Sequence, residues 1–372
     1  MLHVCDYAVP YKGAFIRQLE LLDDELGARG LGGSAFAFPP AAERTDWFAD
    51  MARDGRQAYT LPPAGARALG KAYPALRALL DSTRCDIVHS HFLGYDIASA
   101  LAVARERAAG RKRVLVWHYR TALECAPAER SLARRLKDGL KFRCLGAGVD
   151  RCVAVTEALA REAAARGADG RVSAVVAGCD TDAFQPDSDA RLRGRAALGV
   201  ADDEVLILHL GWHWKRKGGD LLVAAAKLLA ERGMAPLKFV SVGAPPDEVT
   251  PPVQPVPLTE RIADLHQAAD IFVSASRSEG FGNALVEALA SGTPAVATLV
   301  DGQRELFEGV PGCVGTAPDD AAGIADAIES LLEQRTDWPR LGAINRRHVV
   351  RHHSMRDWAR RMADLYEEVA AS

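Results

Sequence analysis

Two glutamates, Glu279 and Glu287, flank a Gly280-Phe281-Gly282-Asn283 turn within residues 276–293, SRSEGFGNALVEALASGT. The apolar run Ile271-Phe272-Val273 before it reads as a buried strand, and the periodic run from about Asn283 reads as a helix. A helix start offers free backbone N–H groups and partial positive charge, which suits a phosphate or diphosphate. Gly280 and Gly282 let the main chain approach a ligand closely. Glu287, about one turn into the helix, can accept two hydrogen bonds from a vicinal diol such as a ribose. Sugar nucleotides carry both groups. The plainer reading is a strand, a glycine turn and a helix with two incidental glutamates.

A second segment, Leu208-His209-Leu210-Gly211-Trp212-His213-Trp214-Lys215-Arg216-Lys217-Gly218, ends an apolar strand and then places three cations before a helix starting near Gly219. Arg216 is a planar donor fork and Lys217 a compact charge, so the pair can clamp a diphosphate and stabilise charge that grows on it as it leaves. The competing reading is a solvated basic turn. A third segment, Arg113 to Tyr119, carries His118 to the end of a strand, where an imidazole can bond a sugar hydroxyl or serve as a structural residue. His89 and His91 form a His-x-His pair that could ligate metal, but no further ligand stands at diagnostic spacing, and no metal or cofactor is expected. The first loop, Pro10-Tyr11-Lys12-Gly13-Ala14, puts Gly13 at a helix start facing a ligand. Its single glycine is not a dinucleotide fingerprint. Asp180-Thr181-Asp182 and Asp187-Ser188-Asp189 mimic metal-binding triplets, and capping with linker solvation accounts for both.

The elements that must hold these residues alternate. Short β-like runs near 2–5, 33–38, 86–90, 113–118, 151–155 and 172–176 are separated by helical stretches at 13–29, 70–82, 94–108, 129–147 and 156–166. A second series follows near 205–210, 237–242, 270–274, 293–297 and 312–314, and residues 355–371 form a final amphipathic helix. The polar, proline-containing stretch 184–189 is the linker candidate. The expectation is α/β with two doubly wound parallel-sheet domains: residues 1–185 with the returning helix 355–372, and residues 186–354. Ligands are expected at strand C-terminal ends in a cleft between the two.

The 372 residues are 48% hydrophobic and 26% charged with net charge −3, so no global basicity argues for nucleic-acid binding. Seven scattered cysteines without a C-x-x-C pair fit reduced thiols. A strand at the very start leaves no room for a signal peptide, and no apolar run approaches the ~18 residues of a membrane span, so a cytoplasmic location is expected. The basic stretch 129–147 is read as a solvated surface helix, with membrane contact at most peripheral. High Ala and Arg usage points to a GC-rich, bacterial genome.

Together these segments resemble the retaining glycosyltransferases of family 4, which have the GT-B fold of two Rossmann-like domains. The Glu279–Glu287 segment looks like the family signature, Gly178-Cys179-Asp180-Thr181-Asp182-Ala183-Phe184 is similar to its GVDxxxF stretch, and Asp301-Gly302-Gln303-Arg304-Glu305 to its GGxxE turn. The resemblance implies that Glu287 binds ribose, that the backbone of Phe281, Gly282, Asn283, Ala284 and Leu285 meets donor sugar and phosphates, that Arg216 and Lys217 hold the diphosphate, and that Glu279 and His118 lie beside the donor sugar. It further implies a UDP- or GDP-type sugar donor bound by the C-terminal domain, a hydroxyl-bearing acceptor on the N-terminal one, retention of configuration by front-face attack, and no required metal. The acceptor class spans natural-product and cell-envelope intermediates, and the protein partner to consider is a second copy in a homodimer. The chain departs from the family at Lys12-Gly13, where paired glycines are usual, at Trp212, where an arginine is frequent, at Ala177 in place of asparagine, and at Val242-Gly243-Ala244-Pro245-Pro246, which lacks a second glycine. Two rival readings follow from the same residues: a glycosidase using Glu279 and Glu287 as its carboxyl pair, and a non-catalytic sugar-nucleotide-binding protein on the same fold.

Overall fold

The computed structural model describes residues 1–63, 69–92, 94–120, 145–168, 170–234 and 236–371. The chain divides into two compact units, Met1–Ala177 with Arg356–Ser372, and Gly178–Met355. The change of unit thus falls at 177/178, ahead of the 185/186 boundary and the polar stretch expected to act as linker. Most of the basic segment 129–147 lies outside the described residues. Among those described, no helix is long and apolar enough to cross a membrane, and Cys5, Cys85, Cys152, Cys179 and Cys313 are free and buried.

The N-terminal unit holds a seven-stranded sheet in the order β3-β2-β1-β4-β5-β6-β7. Its strands are β1 (Leu2–Cys5), β2 (Ala35–Phe38), β3 (Gln57–Thr60), β4 (Ile87–His91), β5 (Val114–Tyr119), β6 (Arg151–Ala154) and β7 (Val172–Ala174). Neighbouring strands are parallel, and the central ones are buried along nearly their whole length, as a sheet covered by helices on both faces requires. The C-terminal unit holds a six-stranded parallel sheet, order β10-β9-β8-β11-β12-β13. Its strands are β8 (Val205–Leu210), β9 (Leu237–Val242), β10 (Val253–Val256), β11 (Ile271–Ser274), β12 (Ala295–Thr298) and β13 (Cys313–Thr316). Two strands escaped the sequence reading, β3 and β10, and both are sheet edges. β3 is polar and half exposed, and β10 contains Pro255, which an edge strand tolerates because one face of its ladder has no partner.

The helix Met355–Ala371 packs on the N-terminal sheet from Arg356 onward. Arg29 pairs with Asp364 at 2.6 Å, Arg361 donates to the Val176 carbonyl at 2.9 Å, and the Tyr366 hydroxyl bonds the His89 ring. The Gly178 turn lies so close to Met355 that a Cβ on Gly178 would stand 2.6 Å from its Cα.

Strand register explains a feature of the N-terminal core that single residues do not reveal. His3 lies opposite His89, and His91 opposite His118. Because side chains alternate along a strand, His89 and His91 share a face. The result is four buried imidazoles with ring centroids 4.0–5.4 Å apart. Burial lowers every one of their pKa values, His3 to about 3 and the others well below the usual range, with further lowering from Arg120. The folded state therefore holds these rings neutral while the unfolded chain takes up protons below about pH 6.5. The unfolded state binds the more protons, so stability falls as pH falls, by about 1.4 kcal/mol per pH unit for each ring that stays neutral. We expect the N-terminal unit to lose stability between pH 6.5 and 5, above the carboxylate range. Hydrogen exchange of β1, β4 and β5 should rise across that interval, and exchange that stays flat from pH 7 to 5 would contradict the argument.

Candidate active site

In the C-terminal unit the loops after β8 and β11 converge. Gly218, with φ of +68°, sits where a Cβ would stand 1.9 Å from the Ala275 carbonyl oxygen, so the two loops touch through backbone that excludes a side chain. The contact is reinforced by the Arg277 N–H, which donates to the Arg216 carbonyl at 2.8 Å. Beneath it, neutral His209 joins the parts: its Nε2 lies 3.0 Å from the Lys217 carbonyl and its Nδ1 2.9 Å from the Ser241 hydroxyl. Since a carbonyl only accepts, the proton sits on Nε2. Burial holds this ring down to about 4.

Across the contact, buried Lys217 donates from Nζ to the buried Glu279 carboxylate. Ser276 Oγ donates to the same oxygen at 2.7 Å, and Arg216 Nη1 lies 3.7 Å from the other one. Burial alone would raise the Glu279 carboxyl, but the charges of Lys217 and Arg216 and the hydrogen bonds of Lys217 and Ser276 hold it below its usual value. A carboxylate kept ionised in this way is a poor proton donor, which conflicts with the general acid a glycosidase needs. Arg216 also donates to the Ser278 carbonyl at 3.2 Å, and its guanidinium and the Lys217 ammonium each lie 5.8 Å from the centre of the Trp212 ring. The tryptophan that stands in place of an arginine therefore lies beside both cations.

The turn after Glu279 is built to present main chain. Phe281 is 4% exposed, with its ring turned edge-on to His353, so its side chain anchors the turn. Gly282 has φ of +84°, and a Cβ there would clash with Gln303 Nε2 at 2.3 Å. It caps the helix Asn283–Ala290 without any side-chain hydrogen bond, leaving that N-terminus to a ligand. Asn283 is exposed, Ala284 half-buried and Leu285 buried in the core. Glu287 lies 3.5 Å from the buried His266 ring, against which Phe184 packs edge-on at 5.6 Å. Arg346 Nη1 donates to the carbonyls of Phe184 and Ala290 at 2.9 Å each, fixing the far end of the same helix.

The two acidic triplets are accounted for by local bonding. Asp180 Oδ1 accepts from the N–H groups of Asp182 and Ala183, and Asp187 Oδ1 caps the helix Ser188–Leu198 through Asp189 and Ala190.

The remaining sequence-derived residues belong to the N-terminal unit. Gly13 caps the helix Ala14–Ala28, and a Cβ there would stand 2.8 Å from the Tyr7 hydroxyl. Lys12 is tied to buried Glu20 at 2.7 Å. His118 is 1% exposed, and neither ring nitrogen has a hydrogen-bond partner among the described residues. His3, His89 and His91 bring nitrogens within 4.8 Å of one another, a grouping that could hold a metal ion and whose third member comes from another strand. A divalent cation fits poorly there. Arg120 Nε lies 3.3 Å from His91 Nδ1, His3 Nδ1 and His91 Nε2 already face each other at 3.1 Å, and among the described residues no carboxylate joins the group.

Neighbours of the site to which the sequence reading gave no role are Ser276, Asp301, His266, Gln303 and Arg346. Ser276, Asp301 and Gln303 belonged to segments already singled out, whereas His266 and Arg346 are brought in by tertiary packing.

Two family descriptions match the chain: Glycosyltransferase Family 4 over residues 34–183 and Glycosyl transferases group 1 over residues 204–334. Among curated relatives, D-inositol 3-phosphate glycosyltransferase of Arthrobacter sp. is 31% identical over 70% of this chain and 66% of its own. The namesake enzyme of Nocardia farcinica is 32% identical over 61% of this chain and 53% of its own. The chain thus spans between about half and two thirds of the length of these relatives. Among solved structures, Anabaena HepE in complex with UDP-glucose superposes with a TM-score of 0.80 at 16% identity, over 99% of this chain and 100% of that one. Sucrose-phosphate synthase from Thermosynechococcus elongatus gives 0.77 at 20% identity, over 100% and 99%. At these identities the likeness is one of fold, and the fold is GT-B.

The buried ion pair makes a stability prediction. Lys217→Met leaves the Glu279 charge with only distant Arg216, and should cost about 3 kcal/mol of the C-terminal unit's unfolding free energy. Adding Glu279→Met should restore most of it in urea titrations. A double variant as unstable as the sum of the two singles would refute the pairing.

Proposed function

We propose, for a chain that belongs to glycosyltransferase family 4, that it moves a glycosyl group from a UDP- or GDP-type sugar to an acceptor hydroxyl with retention of configuration. The observation that carries this reading is the grouping of Arg216 and Lys217 with the uncapped helix start at Gly282, one turn from Glu287. Cations and amide N–H groups suit a diphosphate, and a carboxylate one turn along suits the two hydroxyls of a ribose.

In the proposed reaction the donor C1–O bond to the diphosphate breaks and a new C1–O bond forms to the acceptor oxygen on the same face. The acceptor proton passes to the departing diphosphate. Arg216 and Lys217 take the negative charge growing on the leaving group, a task that needs no bound metal. Main chain from Gly280 to Leu285 would meet phosphates and sugar. Glu279, kept ionised, would accept from sugar hydroxyls, and His118, kept neutral, would act as a hydrogen-bond partner. The C-terminal unit is read as the donor domain and the N-terminal unit as the acceptor domain. The names of the relatives support an acceptor related to a phosphorylated polyol, and the UDP-glucose held by HepE supports a uridine donor.

Two variants separate binding from chemistry. Glu287→Ala should weaken nucleotide-sugar binding by about 2 kcal/mol, roughly 30-fold in Kd, by removing charge-assisted hydrogen bonds. Arg216→Ala, at a partly exposed position where folding should survive, should lower kcat on the order of 100-fold with a smaller change in binding. Calorimetry and initial rates with UDP- and GDP-sugars read both. Unchanged kinetics in the two variants would end the assignment, and donor binding without turnover on any acceptor would favour the non-catalytic alternative.

A further inference from the structure

Arg120 follows directly on β5 in the N-terminal unit, and its surroundings leave a charge unbalanced. Its guanidinium lies 4.7 Å from the centre of the Phe15 ring and 5.5 Å from that of Trp358. Nε faces His91 and Nη1 donates to Gln18. Nη2 is sealed from solvent and, among the described residues, has no hydrogen-bond partner, although the residue as a whole keeps partial exposure at the strand tip. Among the described residues no carboxylate pairs with this guanidinium. The groups whose charge bears on it are the Cys5 thiol and the Tyr366 hydroxyl, both pushed far up by burial and therefore neutral. Burial lowers Arg120 itself to about 9, which still leaves it a cation at neutral pH. The nearby histidines are neutral and supply no counter-charge. His118, adjacent in space and two residues earlier, contributes two further nitrogens without a hydrogen-bond partner among the described residues, in a side chain that is 1% exposed.

A buried guanidinium with an idle N–H costs stability unless something accepts from it. Arg191, Arg195 and Arg277, each also held by several contacts, have a carboxylate among them. We infer that the tip of β5 is an oxyanion site, in which Arg120 and His118 receive a phosphate or carboxylate carried by the acceptor. The inference rests on the transferase reading and assigns the acceptor's anionic group to a specific place in the fold, the tip of β5. The idle donors match an oxyanion in kind: a guanidinium edge gives charge and direction, and a neutral imidazole gives one N–H.

Inorganic phosphate tests the site on the intact chain, with glycerol 3-phosphate against glycerol as the acceptor-like pair. Phosphate should bind wild-type protein and Arg216→Gln alike, and Arg120→Gln should lose at least tenfold in phosphate affinity. Phosphate binding that persists unchanged in Arg120→Gln, or that vanishes in Arg216→Gln, overturns the inference, because the anion then sits elsewhere. Glycerol 3-phosphate should compete with phosphate and glycerol should not. Failure of glycerol 3-phosphate to compete overturns the assignment to an acceptor group. Should Arg120→Gln not fold, hydrogen exchange on wild type decides: phosphate should slow amides at 119–120 and 356–360, and no slowing there overturns the site. Nucleotide-sugar binding in Arg120→Gln should remain at wild-type strength. Absence of nucleotide-sugar binding in every variant would instead sink the transferase reading, independently of what phosphate does.

Discussion

The C-terminal unit depends on one buried ion pair, Lys217 with Glu279. Neither group tolerates the loss of the other, since an unpaired buried charge costs several kcal/mol. The pair therefore ties the loop after β8 to the loop after β11 as firmly as a packed core would. Around it the geometry is over-determined. Gly218 brings the two backbones together, His209 holds the Lys217 carbonyl, Ser276 holds the carboxylate, and Arg277 spans Asp220 and Asp319. Such support fixes side-chain positions before any ligand arrives, which is what electrostatic stabilisation of a leaving group requires. It also means that the cations are already neutralised by Glu279. An incoming diphosphate would share them with that carboxylate, with Trp212 beside both.

The two units treat positive charge in opposite ways. In the C-terminal unit every cation near the strand tips has a carboxylate at hand: Lys217 and Arg216 have Glu279, Lys215 and Arg277 have Asp220. In the N-terminal unit Lys12 has Glu20, whereas Arg120 rests on aromatic rings and neutral imidazoles. Aromatic faces stabilise a cation by about 1–2 kcal/mol, less than a buried guanidinium loses on leaving water.

How much of this was legible follows from what sequence patterns encode. Alternating apolar runs marked the central strands, and glycine and asparagine punctuation marked the turn at Gly280–Asn283. A turn signal is local, so the aspartates at 180 and 187 were also read correctly as turn and cap formers. What failed was non-local or weakly patterned. β3 and β10 lie at edges, where burial does not enforce an apolar run, and the histidine cluster exists because register sets β1 beside β4 and β4 beside β5. His266 could not be connected to Glu287 from sequence, since the helix Ile262–Ala268 meets the helix Asn283–Ala290 only through packing.

Asp301 shows how a local departure and the central ion pair are linked. It stands where the resemblance places a glycine, and its φ of +44° explains that preference, since an L-residue in the left-handed region is strained. The strain is of order 1 kcal/mol, and Asp is among the residues that tolerate it best. In return its Oδ2 accepts from the Glu279 N–H at 3.0 Å, a charge-assisted bond worth about 1.5–3 kcal/mol. The balance favours keeping the aspartate. The bond fixes the backbone of the very residue whose side chain pairs with Lys217, so a third loop, the one after β12, is tied into the same cluster. A glycine at 301 would relieve the strain and release that loop. The aspartate makes the rigidity of the Glu279 turn depend on a side-chain hydrogen bond, where glycine would supply only conformational freedom.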